Sequence, residues 1–569
     1  MKRILWLLTL LLFAGSVSAQ RYEYEVGGQV LSNDALSTAD LANLSRQQFN
    51  FGTARSMAMA GAFTSLGADQ ASMALNPAGL GMYQSGEFAL TPMVTIAQSE
   101  SAGSDPYQGN SRSRFGLGNL GAVFNLYEGS GKILSVNAGI GYTRLADYNY
   151  QSSFSYRGAD ASIADAMAMM LEAGGAVVGY NGVELDGRPN WAIDPLFWPA
   201  VAGYKTYLVD CNKQGVWYPA EIGANASIEG GQTLRSRGSA GEISFSMGAN
   251  YDNKLYFGVT IGVQTLYQYK TLYYGEAYTY NGGNGYDSST HAVDSEGREL
   301  SSVMQAMGLR QAMRLDGAGV NFKLGVVYRP VEVLRLGLAF HTPTFYSLDR
   351  TYELSCSTRS LGETSPTDPT THEYTSDAVS ELLEDSAQNA WEFCSPARLM
   401  LGASYTFGRV ALLSVDYERS WFNGIRVKNQ PYLPYGQGEE DFKQDFKHYF
   451  QGSNTLRVGL EVRPIPMVAL RAGYGVIGSA LKEKSTIFTQ PVDTKTGYFT
   501  LGAGVQLGRS CALDLAYCHA TTEQSEYMLF YGNCYPEKGS NEVAEIHESP
   551  TFSTEYTRHN VALTFSVKF

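Results

Sequence analysis

The residues of this 569-residue chain that could react or bind a metal are scattered along the sequence. Its seven histidines are dispersed, and its six cysteines include no CxxC pair of the kind that binds zinc. No nucleophile elbow or metal-binding motif is present. We therefore expect no enzyme activity, no metal and no other cofactor.

Methionines at helical spacing are better suited to contact an apolar molecule. Met167 and Met170 fall at such spacing inside a long polar stretch. Two further stretches have a similar pattern: Val303, Met304 and Met307, and Val379, Leu382 and Leu383. The pattern predicts either a lid of helices that pack on one another, or an adaptable surface that accepts varied hydrophobic ligands.

Two arginines near the N-terminus, Arg46 and Arg55, could meet the carboxylate of a ligand. The alternative is that they pair with acidic side chains of the protein itself. The sequence leaves both alternatives open.

The first 19 residues predict a signal peptide. Lys2 and Arg3 precede an apolar run over residues 4–13, and small residues occupy positions 17–19, before the expected cleavage site. Exported proteins can carry disulfides. Cys356 and Cys394 flank one predicted loop and are therefore a candidate disulfide.

The rest of the chain predicts strands with two unlike faces. From Asn560 to Phe569 apolar residues alternate with polar or small ones, and segments of about ten residues repeat this pattern through the second half of the chain. Six tight turns join twelve such strands in pairs, and one strand on either side makes fourteen. Long polar stretches separate the pairs.

An even strand number with short turns at one end and long loops at the other is typical of an outer-membrane β-barrel. The apolar face would then contact lipid, and closure would leave no unpaired strand edge. We predict an all-β chain whose transmembrane antiparallel barrel of 14 strands spans residues 86–569. The long extracellular loops are predicted at about 158–240, 280–315, 355–395, 425–452 and 530–554.

Residues 20–85 differ from the barrel in composition. This segment is rich in Ala and Met and poor in strand formers, and it is too short to form a large core of its own. We predict a helical hatch that plugs the lumen.

The hatch sequence resembles the FadL/TodX family of outer-membrane transporters for hydrophobic compounds. The resemblance rests on Gly61-Ala62-Phe63, on Gly67-Ala68-Asp69 and above all on Asn76-Pro77-Ala78-Gly79-Leu80, which is similar to the NPA motif of the family's hatch. The strand count and the terminal Phe569 agree with it, so the resemblance spans almost the whole mature chain.

The resemblance implies passive uptake of fatty-acid-like or aromatic compounds, with lateral exit through a gap in the barrel wall. We hypothesise ligand-binding or gating roles for a set of residues in the hatch, third strand and second loop: Arg55, Phe63, Asn76, Pro77, Ala78, Gly139, Gly141, Met167 and Met170. Gly139 and Gly141 could permit an inward kink of the third strand, or could only provide barrel curvature.

Two other functions stay open. Barrels with this hatch also resemble surface scaffolds that serve protein secretion. A third function is haem uptake, for which His341 or His519 could be an axial ligand inside the lumen.

The expected partners are outer-membrane lipids, a hydrophobic small molecule and, through the C-terminal Phe569, the barrel assembly machinery. The formal net charge of −13 argues against binding nucleic acid. We expect a monomer in the outer membrane.

Overall fold

A computed structural model describes the chain except for residues 1–27, 31–37, 47–51, 104–107, 160, 181, 186–187, 190–196, 286–291, 294–296, 364–368, 377–388, 429–438, 483–494, 528–529, 535–544, 549 and 551. The predicted signal peptide and the helical pattern at 379–383 lie outside the described residues.

The described part of the chain consists mainly of strands. They are β1 (Gly28–Val30), β2 (Glu87–Ala102), β3 (Gln108–Glu128), β4 (Ile133–Asp147), β5 (Tyr150–Ala159), β6 (Val177–Gly179), β7 (Gly182–Leu185), β8 (Arg188–Pro189), β9 (Val209–Cys211), β10 (Trp217–Pro219), β11 (Ala226–Tyr251), β12 (Leu255–Tyr280), β13 (Ser302–Val331), β14 (Leu334–His341), β15 (Phe345–Glu363), β16 (Pro369–Ser376), β17 (Asn389–Cys394), β18 (Arg398–Phe407), β19 (Ala411–Trp421), β20 (Arg426–Lys428), β21 (Gly452–Ile465), β22 (Val468–Ile477), β23 (Thr496–Leu507), β24 (Cys511–Tyr527), β25 (Phe530–Cys534), β26 (Glu545–Glu548) and β27 (Phe552–Lys568).

Within the described residues these strands form a closed antiparallel barrel of 14 wall strands, which confirms the predicted fold class. Three wall strands are each interrupted once and consist of β4 with β5, β14 with β15, and β17 with β18. The first wall strand, β2, pairs with the last, β27, and this pairing closes the barrel.

The two faces of the wall strands differ as the alternation predicted. On β12, Phe257, Val259 and Ile261 point outward and are 43–44% exposed, whereas Thr260 and Gln264 point inward and are buried. Outward apolar side chains recur on the other wall strands. A closed barrel with such an apolar outer band is the architecture of an outer-membrane protein.

Helices are short and lie inside the barrel or beyond its loop end. They are α1 (Thr38–Ser45), α2 (Ala54–Ala58), α3 (Ile163–Ala173), α4 (Trp198–Lys205) and α5 (Glu439–Tyr449), with 3-10 helices at Gln70–Met73, Pro77–Met82 and Phe422–Gly424. None of the described helices is long and apolar enough to span a membrane.

Several strands continue into segments that were predicted as loops. β11 begins at Ala226 and β13 at Ser302, inside the predicted loops 158–240 and 280–315. The helix predicted from the spacing of Val303, Met304 and Met307 is therefore wrong, because this segment is the start of β13. The pairing of β13 with β15, which continues through this segment with one bulge between Met304 and Ala306, outweighs the local spacing.

The second loop contributes a helical lid at the loop end. Met167 and Met170 of α3 are fully buried in a core that also contains Trp198 of α4. Glu276 of β12 holds the start of α3, because its carboxylate accepts the Ile163 N–H (2.8 Å) and the Ser162 hydroxyl (2.5 Å). The packing matches the lid alternative for the methionine pair.

The N-terminal segment runs from the loop end toward the turn end. β1 pairs with β25 among the loops, and α1 packs in the same core as the lid. Residues 52–83 then cross the lumen, and the chain enters the wall at Glu87. From here on the name hatch refers to residues 52–83 only, a part of the predicted hatch segment 20–85.

Candidate functional site

The Asn76-Pro77-Ala78 motif forms a turn that binds both the hatch and the wall. The Asn76 side chain accepts the Ala78 N–H (3.1 Å), which caps the 3-10 helix Pro77–Met82, and it donates to the Thr64 carbonyl (2.6 Å). All three residues are buried. The motif therefore fixes the fold of the hatch.

The wall accommodates the hatch at glycines, which we call the glycine belt. At each of these positions a Cβ atom would lie within 3.0 Å of a hatch atom: Gly121, Gly141, Gly248, Gly258, Gly325, Gly337, Gly402, Gly459, Gly473 and Gly502. Many are directly opposite one another in register, such as Gly248, Gly258 and Gly325 on β11, β12 and β13. The belt lets the hatch backbone lie against the wall backbone.

Polar side chains of the wall also fasten the hatch. The Asp416 carboxylate accepts the Thr64 N–H (2.7 Å), and the Asn137 amide donates to the Leu80 carbonyl (2.8 Å). On the far side the Tyr498 hydroxyl donates to the Ala60 carbonyl (3.0 Å). Together with the belt, these contacts close the lumen at the level of the hatch.

A lumen cavity that opens to solvent lies beside α1, and two of its lining residues, Lys323 and His341, bond the hatch below it. Its wall is basic on one side, where Lys323, Arg398 and Arg457 accompany the single carboxylate Glu418. The opposite side is less polar and includes Leu145 and other residues near β4, β5 and β11: Ala146, Tyr148 and Ala240. The cavity therefore has the two-sided character that suits an amphipathic molecule.

The basic groups are held by buried acids of the wall. Glu418 accepts from Arg398 (2.7 Å to Nε) and from Arg457 (2.6 Å to Nη2), and Lys323 pairs with Glu242. Lys323 also donates to the Ala74 carbonyl of the hatch (3.1 Å). Cationic side chains thus outnumber carboxylates on the cavity surface, although Lys323, Arg398 and Arg457 are each paired with an acidic side chain.

The wall has a gap beside this cavity, between residues 108–118 of β3 and residues 144–159 of β4 and β5, all of which the structure describes. Below the gap β3 pairs with β4, and the last pair is Asn119 with Thr143. Above it, β3 residues pair only with β2. We call this region the wall gap.

β5 leans into the lumen behind the wall gap. The Ser99 hydroxyl of β2 donates to the Gln151 carbonyl (2.5 Å), so β5 reaches past β3 to its neighbour. Side chains of β5 also reach β3, where the Asn110 amide oxygen accepts from the Gln151 amide (2.8 Å) and the Ser153 hydroxyl (3.4 Å). Leu145 lines both the gap and the cavity.

The break in the third wall strand lies at Tyr148 and Asn149. Gly139 and Gly141, for which a kink was predicted, lie in the continuous strand β4 and make room for Met73 of the hatch. The Tyr148 N–H and the Asn149 amide both donate to the Gly238 carbonyl of β11 (3.1 Å each). The pairing of β11 with β4 shifts register next to this contact, where Leu145 of β4 is the extra residue of a β-bulge.

Arg55 and Phe63 lie in the hatch below the lumen cavity. Arg55 pairs with Glu461 of the wall (3.3 Å) and its guanidinium lies 5.4 Å from the centre of the buried Phe63 ring. This placement matches the alternative of an internal ion pair. Arg46, in contrast, lines the lumen cavity, so ligand contact stays a prediction for it.

The predicted disulfide between Cys356 and Cys394 is wrong for this fold. Both thiols are free. Cys394 pairs with Phe345 of β15, whereas Cys356 lies eleven residues further along that strand (356 − 345). Eleven residues span roughly 37 Å of strand, far beyond the reach of a disulfide.

The histidines considered for haem are placed unfavourably for that role. His341 is buried at the cavity and its Nε2 bonds the Leu75 carbonyl oxygen of the hatch (2.8 Å). His519 points outward from the barrel instead of into the lumen, so that expectation is wrong. Among the described residues no group of three or more His, Cys, Asp or Glu side chains could hold a metal.

No protein-family model matches the chain. No curated protein matches it either. Among solved structures it is similar to the toluene transporter TodX of Pseudomonas putida, with 13% identity over 92% of this chain and 99% of that chain and a TM-score of 0.45. It is also similar to a FadL homologue of Pseudomonas aeruginosa, with 10% identity, coverage of 91% and 98%, and a TM-score of 0.48.

A third similar structure is the toluene transporter TbuX of Ralstonia pickettii, with 13% identity, coverage of 92% and 99%, and a TM-score of 0.43. The hatch residues led us to expect similarity to structures of this kind, and the similarity is one of fold. These matches carry no argument about a ligand.

Proposed function

We propose that the protein takes up hydrophobic or amphipathic small molecules, fatty-acid-like or aromatic, passively across the outer membrane, with lateral exit through the wall gap. The observation that carries the proposal is the lumen cavity, because it is separated from the hatch only by residues such as Lys323 and His341 and reaches the gap through Leu145.

The hatch supports a lateral route. A path straight through the barrel would require the hatch backbone to leave the glycine belt, with loss of bonds such as Asp416 to Thr64. The wall gap needs no such displacement, since side chains such as Asn110 and Gln151 bridge it. The lower-cost exit is therefore sideways.

The charge of the cavity supports a cargo with an anionic end. Four cationic side chains line it, namely Arg46, Lys323, Arg398 and Arg457, against the carboxylate of Glu418. Arginine in particular suits a carboxylate, because its planar guanidinium can donate two parallel hydrogen bonds. The apolar side near Leu145 would hold the hydrocarbon part.

A disulfide across the wall gap tests the exit. In the double variant Asn110→Cys/Ser153→Cys the two thiols replace side chains whose oxygens are 3.4 Å apart. Oxidation should close the gap and reduce uptake of radiolabelled oleate to that of cells without the protein. A thiol reductant should restore it.

The matched control is Ser404→Cys/Ser414→Cys, two directly opposed inward residues on the continuously paired strands β18 and β19. Oxidation of this variant should leave oleate uptake unchanged. Undiminished uptake by the fully oxidised gap variant would contradict lateral exit, whereas absence of uptake by the reduced wild type would contradict transport itself.

A surface scaffold for secreted proteins remains the second candidate. Exposed apolar side chains on the second loop favour it: Val177, Val178, Tyr180, Tyr207 and Tyr218. If the protein is a scaffold, cells should take up no oleate through it, and oxidation of either double-cysteine variant should not change this result. The predictions of a signal peptide, of assembly through Phe569 and of a monomeric state stay predictions.

A further inference from the structure

Two histidines face each other across the last two wall strands, outside the lumen. His519 of β24 is directly opposite His559 of β27, and their Nδ1 atoms are 3.4 Å apart. Both side chains point outward. His519 is on the same face of β24 as Leu515, and His559 is on the same face of β27 as Val561; these two apolar residues are 49% and 41% exposed. Neither histidine has a part in the proposed uptake.

We propose that this pair binds a divalent transition-metal ion such as Cu²⁺ or Zn²⁺. Two imidazole nitrogens, each about 2.0–2.1 Å from a tetrahedral ion, are about 3.3–3.4 Å from each other. The observed distance of 3.4 Å between the Nδ1 atoms of His519 and His559 equals this tetrahedral edge. At these bond lengths both nitrogens can therefore reach one ion.

The outer nitrogens of both rings support this assignment. Nε2 of His559 is 3.3 Å from the side-chain amide oxygen of Gln98, and a hydrogen bond to this acceptor places the proton on Nε2. Nε2 of His519 is 3.3 Å from the Thr521 hydroxyl, and donation to that oxygen gives the same tautomer. Metal-binding histidines usually donate their second N–H to an oxygen in this way.

In this tautomer the two Nδ1 lone pairs converge. Two acceptors at this distance repel unless a proton or a cation lies between them. The Tyr517 hydroxyl is 2.8 Å from Nδ1 of His559 and can donate to that lone pair or supply an oxygen to the ion. Water would complete the coordination, so we expect a weaker site than a structural zinc site with four protein ligands.

The strands give the pair rigidity and access to water. β24 pairs with β23 and β27, and β27 pairs also with β2, so both histidines lie within continuous ladders. His559 lies ten residues before Phe569 (569 − 559). At a strand tilt near 40° this is roughly 25 Å from the turn end, which is the outer edge of the apolar band.

Titration with Cu²⁺ tests the proposal on the full-length protein, purified without a histidine tag and stripped with a chelator. We expect one equivalent bound, with electron paramagnetic resonance showing coordination by two imidazole nitrogens. His519→Ala and His559→Ala should each weaken binding at least about tenfold and remove the two-nitrogen signature.

The matched control is His448→Ala, which removes an exposed histidine on α5 and should leave binding unchanged. Retained resistance to unfolding in detergent would show that each variant still forms a barrel. Equal Cu²⁺ binding by wild type, His519→Ala and His559→Ala would overturn the proposal, as would a wild type without stoichiometric binding.

Discussion

Replacement of one glycine in the belt should release the hatch without unfolding the barrel. Gly258 of β12 points inward, and a Cβ atom there would lie 2.3 Å from the carbonyl carbon of Pro77 and 2.6 Å from the nitrogen of Ala78. Both are backbone atoms, so no side-chain rotation can relieve the contact. Gly258→Ala therefore acts on the hatch through contact alone.

The size of the effect follows from the required displacement. Ordinary van der Waals contact begins near 3.4 Å, so the hatch or the wall must move by about 1 Å. Overpacking of this kind costs about 1–3 kcal/mol. If the hatch gives way, 3 kcal/mol increases the population of displaced hatches roughly a hundredfold.

Ion current across planar lipid bilayers measures this population. The wild type should open rarely, because the hatch closes the lumen, and Gly258→Ala should open up to about a hundred times more often. The barrel itself should stay folded, since the strand pairing of β12 with β11 and β13 does not depend on the hatch.

Gly497→Ala is the matched control. Gly497 is also a wall-strand glycine, and the nearest atom to its added Cβ is the Tyr474 hydroxyl oxygen at 4.0 Å. This variant should conduct like the wild type. Equal opening frequencies for Gly258→Ala, Gly497→Ala and the wild type would refute the argument that the belt seats the hatch.

Two further substitutions test the lid and the cavity. Glu276→Gln should loosen the start of α3 by about 2–4 kcal/mol, because the bonds from Ile163 and Ser162 lose their charged acceptor, and hydrogen exchange over residues 162–173 should rise. Unchanged exchange would exclude Glu276 as the anchor. Arg398→Gln should weaken oleate binding about tenfold and leave oleyl alcohol binding unchanged, since Glu418 keeps Arg457 as its partner. Equal loss for both ligands would argue against a carboxylate contact.

The sequence predicted the barrel well because one local pattern specifies it. Apolar residues on alternate positions can face lipid only if the strands close on themselves, and this requirement does not depend on any particular partner residue. The motif Asn76-Pro77-Ala78 likewise located the hatch. Its role in capping a 3-10 helix follows from local chemistry.

The sequence shows the glycines of the belt, but it does not predict that they contact the hatch. Gly325, Gly337 and Gly459 alternate with the apolar residues of their strands, and this pattern alone does not show what lies against them. Only the fold shows that Asn76, Thr64 and Met59 of the hatch lie against them. Inward glycines at the same level on successive strands would have been the available signal.

The position of the strand break and the distance between Cys356 and Cys394 could not be predicted, because both depend on partners that are distant in sequence. The break at Tyr148 is set by Gly238, and no local feature of β4 predicts it. The position of Cys394 depends on which part of β15 it pairs with. Register between strands far apart in sequence cannot be deduced from either strand alone.

The belt and the wall gap are adjacent, and this arrangement links closure to exit. Gly121 and Gly141, opposed in the belt, lie two residues from Asn119 and Thr143, the last pair before β3 and β4 separate. A molecule that moves down the lumen thus meets the hatch at the height where the wall loses its backbone hydrogen bonds. Because the same two strands contact the hatch below and border the gap above, a substitution that displaces the hatch at Gly141 should also alter the gap, whereas one at Gly473, across the barrel, should not.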